Sequence, residues 1–232
     1  MTISADQMTS TDAARVLGVS VRQVRRLVVA GELSEVGRVG TNLLVDAVSV
    51  NRLAERGSQR GRPWSEETAW AAIELLDEGH TSRLNSAQRS RLRARLREMS
   101  TDEFVRMTRR RSTTTHFRAS PSFLNQLREH VALTGSSAVA ADRETADRFG
   151  LAAGGQESVD GYVRCDVLDT YRDEFFLAED HHGNVTLRAT ESDTHTTRLA
   201  SVTAVALDLA DSLDTRERSA AIRMLTGKLR KS

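Results

Sequence analysis

One cysteine, Cys165, stands among the 232 residues. An internal disulfide is therefore excluded, and so is a zinc site built on several cysteines. No apolar run approaches the roughly 20 residues that a membrane-spanning helix needs. The opening stretch from Met1 to Ser10 is polar and carries an acid, unlike a secretory signal. A cytoplasmic location with no membrane partner is the expectation. A G-x-S-x-G elbow is also missing, so no serine-hydrolase triad can be argued. His181-His182 has only Glu179 and Asp180 beside it. All four cannot readily converge on one ion from a tight turn, so the pair reads as an exposed turn. Neither a metal nor any other cofactor is expected.

Charge is present in quantity but unevenly. The formal net charge is +1. Residues 1–64 carry nine arginines against six acids, and residues 83–111 carry ten against three. Between them, residues 65–82 hold five acids and no base. Residues 117–232 hold fourteen bases and eighteen acids. A basic front half suits a polyanionic partner, and an acidic back half does not. The length fits two modest domains.

The front half carries a motif. Thr9-Ser10-Thr11-Asp12 offers side-chain oxygens to cap a helix. Ala13, Ala14, Val16 and Leu17 are then expected on its inner face. Gly18 breaks that helix, Val19 is expected to pack inward, and Ser20 is a second N-cap. Val21, Val24, Leu27 and Val28 recur at three- and four-residue spacing, a buried stripe. Opposite them lie Arg22, Gln23, Arg25 and Arg26. Gly31 ends the helix in the left-handed region. Two short helices around a glycine turn make a helix-turn-helix, whose second helix enters the major groove of double-stranded DNA. Arginine and glutamine can make bidentate contacts to base edges there. Arg22, Gln23 and Arg26 are assigned to bases, with Ser20 and Arg25 nearer the phosphates. Leu33 to Val45 reads as a hairpin with its tip near Gly40–Asn42, a wing. Arg38, Thr41 and Asn42 belong to its DNA-facing set. Asp46 then caps a helix whose Val48, Val50, Leu53 and Ala54 would pack on the first two.

The run T-S-T-D-A-A-R-V-L-G-V-S-V-R-Q-V-R-R-L-V-V-A-G-E-L, a hairpin, and then D-A-V-S-V-N-R-L resembles the excisionase and MerR-type winged-helix family. The resemblance covers about a quarter of the chain.

Gly57 to Pro63 is a flexible basic linker in which Ser58, Arg60 and Arg62 could track phosphates or the minor groove, or which serves as a plain tether. Ser65-Glu66-Glu67 caps a helix that carries Trp70, Ile73, Leu75 and Leu76, and Trp64 and Trp70 read as packing anchors. Ser86 to Arg97 reads as an Arg-rich helix with Leu92 and Leu96 inward. Its arginines fit either phosphates or the acidic helix at Glu66–Glu78. A further helix from Thr101 ends in Arg109-Arg110-Arg111. Beyond it, Ser120-Pro121 opens a helix. Val131–Thr134 and Val159–Val163 read as strands. Asp166 opens a helix at Val167–Tyr171, and Cys165 reads as a small packing residue. Phe175–Ala178 and Val185–Ala189 read as paired strands around His181–Asn184. Val202–Leu213 and Thr215–Lys228 read as helices. The fold class is α+β in three parts: a winged helix-turn-helix over 1–56, a basic linker and helical segment over 57–116, and an α+β interaction or regulatory domain over 117–232.

A strand ending in Gly-Ser, a helix, and a strand with Asp-x-Asp form the layout of nucleotidyltransferases, which hold magnesium with paired carboxylates. Leu133-Thr134-Gly135-Ser136 and Asp160-Gly161-Tyr162 fit it in part. The second acid is replaced by Tyr162, and Asp142 and Glu144 lie too close to the Gly-Ser. The expectation is a protein that is not an enzyme. The order of parts, with H-F-R-A-S-P-S-F-L-N-Q-L and V-A-L-T-G-S-S-A-V, resembles the AbiEi-type antitoxins, which pair with nucleotidyltransferase-like toxins. That resemblance implies an autoregulating repressor on inverted repeats, with a C-terminal domain that neutralises the toxin. Three classes compete: a sequence-specific transcriptional repressor, an excisionase- or partition-like architectural protein, and a nucleotidyltransferase with a DNA-binding module. Paired half-sites would make a homodimer the expected state, although no heptad run supports it.

Overall fold

The structure, a computed structural model, describes residues 7–39, 42–55, 62–154, 158–180, 182–191, 198–212 and 214–231. Gly40, Thr41 and His181 lie outside the described residues, as does the stretch 56–61 that holds Arg60. The chain divides into two units, Met1–Gly61 and Arg62–Ser232.

The first unit runs β1 (Gln7–Thr9), α1 (Ser10–Leu17), α2 (Val21–Val29), β2 (Glu35–Val39), β3 (Asn42–Asp46) and α3 (Ala47–Glu55). Thr9 caps α1 by accepting from the Asp12 N–H, and Ser20 caps α2 by accepting from Gln23 N–H at 3.2 Å. Gly18 turns between the helices at φ +64°. The Val19 N–H then donates to the Ala14 carbonyl, which closes the end of α1. Asp46 caps α3 through the Ser49 N–H at 2.7 Å. The three strands form an antiparallel sheet ordered β1-β3-β2. Ala13, Val24, Leu33, Val45 and Val50 form the core, with Val21, Leu27, Val28 and Leu53 packed against it.

Three valines expected inside are outside: Val16 is 45% exposed, Val19 37% and Val48 54%. On α1 the core stripe is Ala13, Ala14 and Leu17, and Val16 lies about 100° round from it. Val48 sits on the side of α3 away from Val50. Strand β1 is an addition, since three residues are too short to show a period.

The second unit opens with three helices, α4 (Glu66–Glu78), α5 (Ser86–Glu98) and α6 (Thr101–Thr108). Then come β4 (Thr113–Arg118), α7 (Pro121–His130), β5 (Ala132–Leu133), α8 (Gly135–Ala141), α9 (Arg143–Phe149) and β6 (Val159–Arg164). A single tight turn at Cys165–Val167 leads to α10 (Leu168–Glu174), β7 (Ala178–Glu179), β8 (Val185–Thr190), α11 (Val202–Leu209) and α12 (Thr215–Leu229). The sheet order is β5-β6-β8-β4-β7, with β6 and β8 parallel and the other pairs antiparallel. Helix α11 is buried from Thr203 to Leu209. Trp64, Trp70, Leu92, Leu96 and Phe104 share one core with Phe117, Tyr162, Leu187 and Leu207. The helices expected to form a segment of their own therefore bury their apolar faces with the sheet.

Four local expectations change here. Phe175–Ala178 does not pair with Val185–Ala189: Phe175 ends α10, and the two-residue β7 pairs with β4. Strand β4 was unmarked because Thr113-Thr114-Thr115 shows no apolar alternation. Helix α6 stops at Thr108, and Arg111 is buried instead of ending a basic surface run. Cys165 is exposed, and desolvation with Glu191 beside it pushes its thiol up to about 11.

Candidate nucleic-acid interface

Helix α2 has one buried residue, Val24, and Val21, Leu27 and Val28 are half-buried beside it. That stripe fixes which residues face water. Arg22, Arg25 and Arg26 sit at i, i+3 and i+4 and are all exposed. None has a side-chain partner among the described residues, and α2 holds no acid. Three unpaired guanidinium groups on one helix face form a positive, donor-rich strip. Gln23 is half-buried at the first turn, where Ser20 holds its backbone N–H. Ser20 is exposed, so its hydroxyl is engaged in capping while its surface faces water.

Gly31 follows α2 at φ +72°, and Glu32 N–H donates to the Leu27 carbonyl at 2.9 Å. The chain then enters the β2–β3 hairpin, paired from Glu35↔Val45 to Val39↔Asn42. Arg38 is exposed on β2 and reaches Glu35 through Nε at 3.3 Å. Asn42 opens β3, and Thr41 falls outside the described residues, as does Arg60. Arg62 is exposed and begins the second unit. The structure therefore gathers Ser20, Arg22, Gln23, Arg25 and Arg26 on one capped helix, with Arg38 on the neighbouring hairpin. One residue of this face was missed by the sequence reading. Val29 lies seven residues after Arg22, on the arginine side, and is 90% exposed. The sequence analysis assigned Val29 to neither face, and extending the arginine spacing would have placed it.

Residues 8–58 match the model of the helix-turn-helix domain family. The N-terminal unit thus carries a helix-turn-helix domain, of the kind found in DNA-binding regulators. The match spans α1, α2, the hairpin and α3. No curated protein and no solved structure matches the chain. Among the described residues, no helix is long and apolar enough to cross a membrane.

The other polar cluster lies behind the helix-turn-helix domain in sequence, inside the second unit. Arg188 grips Asp160 with two bonds, Nε to Oδ1 at 2.8 Å and Nη2 to Oδ2 at 2.9 Å. Its Nη1 lies 3.0 Å from Asp208 Oδ1. Arg111 pairs with the same Asp208 and donates from Nε to the Tyr162 hydroxyl at 2.8 Å. Thr134 donates to Asp208 Oδ2 at 2.6 Å. Two cations and two anions thus neutralise each other in the core. Burial pushes Asp208 upward, but Arg111 and Arg188 outweigh it and hold the carboxyl below its usual range. A hollow of about 410 Å³ lies over Asp160 between Ser136, Thr186 and Ser212. Of the three acids that line it, the half-buried Asp160 and the buried Asp208 are already held by guanidinium, and the Asp-x-Asp position is the buried Tyr162. These residues do not fit a magnesium site. Among the described residues no group of three His, Cys, Asp or Glu could hold a metal.

Proposed function

We propose that the chain is a sequence-specific double-stranded DNA-binding repressor, with α2 as its recognition helix and the β2–β3 hairpin as its wing. The observation that carries this reading is the partnerless Arg22-Arg25-Arg26 face on a helix capped at Ser20. Arg22 and Gln23 at the first turn would read base edges, and Arg25 and Arg26 would hold phosphate or base. Val29 could meet a thymine methyl group. Arg38 and Asn42 would follow the backbone beside the groove, and Thr41, Arg60 and Arg62 would extend the footprint. A palindromic operator would call for two copies of the chain.

The second unit, on this reading, acts by binding and not by catalysis. The Arg188–Asp160 and Arg111–Asp208 pairs support that, since the two acids at the floor of the hollow are already matched by guanidinium groups. The order of parts that resembles AbiEi-type antitoxins supports a toxin as its partner. Selection from a random duplex pool would identify the operator. Affinity for that duplex, titrated against salt, should fall in Arg22→Ala and Gln23→Ala with loss of base preference. Unchanged affinity and preference in both variants would remove α2 from the recognition role. Magnesium-dependent turnover of any nucleoside triphosphate would return the enzyme reading.

A further inference from the structure

Two hollows adjoin along the exposed side of α12. One, of about 500 Å³, runs between Gly150–Ala152 and the start of the helix at Thr215 and Arg216. The other, of about 310 Å³, continues past Phe149 to Lys231. Arg223 lines both, so the two meet at its side chain and are taken together as a groove. Arg216 and Arg223 are seven residues apart on α12, which puts them on one face about 10 Å apart, and Lys231 follows just past the end of the helix.

No carboxylate lines either hollow, although residues 117–232 are acidic as a whole. Five cations do. Arg148 reaches Glu144, and Lys228 reaches Asp77 at 2.7 Å. Arg216, Arg223 and Lys231 have no side-chain partner among the described residues. Between them the surface is carbon-rich: Leu151 and Met224 are half-buried over the buried Phe149 and Ala220.

Gly227 adds an independent observation. It sits inside α12, where only proline is a poorer helix former. A Cβ built there meets nothing within 4 Å. Packing within the unit gives no reason for its smallness. A body approaching the helix backbone from outside would give one.

We propose that this groove seats an acidic amphipathic helix of a partner protein. Its carboxylates would pair with Arg216, Arg223 and Lys231, its apolar edge would lie on Leu151 and Met224, and its backbone would pass over Gly227. Helices seated in grooves are read through anchors one and two turns apart, and Arg216 and Arg223 match the two-turn spacing. A nucleic acid is the less suitable occupant. Phosphates would desolvate against Leu151 and Met224 without gaining a partner there.

Fluorescence anisotropy on the full chain tests this with three labelled probes: a helical peptide with a glutamate stripe and a leucine stripe, the same residues scrambled, and a random duplex. The striped peptide is expected to bind, with the scrambled one at least about tenfold weaker. Arg216→Glu with Arg223→Glu should weaken the striped peptide at least about tenfold. Gly227→Leu should block it while the thermal melt holds or rises, as expected for a better helix former at an open position, which separates lost docking from lost folding. Equal binding of the scrambled peptide, or no binding of either, overturns the proposal. So does a duplex that loses as much affinity as the peptide in the double variant, which would assign the groove to nucleic acid.

Discussion

Arginine is used in opposite ways in the two units. On α2, Arg22, Arg25 and Arg26 stand in water with no partner among the described residues. In the second unit, Arg111 and Arg188 are buried and bound to Asp208, Asp160 and Tyr162. Removing a guanidinium from water costs several kcal/mol, so a buried one must be paired. An exposed one loses nothing by waiting for a ligand. Helix α5 lies between these extremes. Arg89 and Arg93 donate to backbone carbonyls, and Arg95 reaches Glu103 and lies 5.4 Å over the Trp64 ring. What separates a structural arginine from a binding one is the partner that the fold supplies. The density of arginines along the chain does not.

The largest effect should come from breaking the buried cluster. Asp208→Asn leaves Arg111 and Arg188 short of a counter-charge, and a loss of about 3–5 kcal/mol in urea unfolding is expected. Operator affinity measured well below the transition should not change. A joint loss of both would end the contrast between the two uses of arginine.

The same cluster sets an acid limit. Asp208 is held below its usual range by Arg111 and Arg188, against burial. Its contribution is therefore full above the unfolded value, about 4, and is lost as pH falls through the lower folded value. In Arg188→Met that folded value rises, so acid unfolding should begin at higher pH. Near-ultraviolet circular dichroism of the buried Trp64 and Trp70 would follow it.

On the exposed side the signs reverse. Arg22→Ala should cost about 1–3 kcal/mol of operator binding. Its unfolding free energy should stay within about 0.5 kcal/mol of the parent. A destabilised Arg22→Ala would mean that the helix face already serves the fold.

The helix-turn-helix was legible because its signals are local. Thr9, Gly18, Ser20 and Gly31 act within a turn of their own positions, and Val24 with Leu27 gave the helical period. Val16 and Val48 misled because a valine on a short helix reads as core wherever it falls. The second unit hid its organisation in contacts far apart in sequence. Arg188 meets Asp160 across parallel strands, and Asp208 comes from a helix further on. Arg111 closed a run of three arginines, and nothing local set it apart from Arg109 and Arg110. The α12 groove was invisible for a related reason. A segment that is acidic in total can still collect its free cations on one face.

Helix α5 offers the smallest and most discriminating test, because two neighbouring arginines take the two roles. Arg89 donates from Nη1 to the carbonyls of Thr81 at 3.0 Å and Leu84 at 3.2 Å, tying α5 to the turn before it. Arg91 is exposed and has no partner among the described residues. Arg89→Ala should therefore cost about 1–2 kcal/mol of stability. Arg91→Ala should fall within about 0.5 kcal/mol of the parent. The Asn85–Gln88 capping box lies apart from both side-chain contacts and should hold the start of the helix in each variant. Operator binding decides what Arg91 does with its freedom. If α5 touches phosphate, Arg91→Ala will weaken all duplexes alike and reduce the salt slope by about one. An unchanged slope would leave Arg91 as a solvated charge and confine the duplex contacts to the first unit and Arg62.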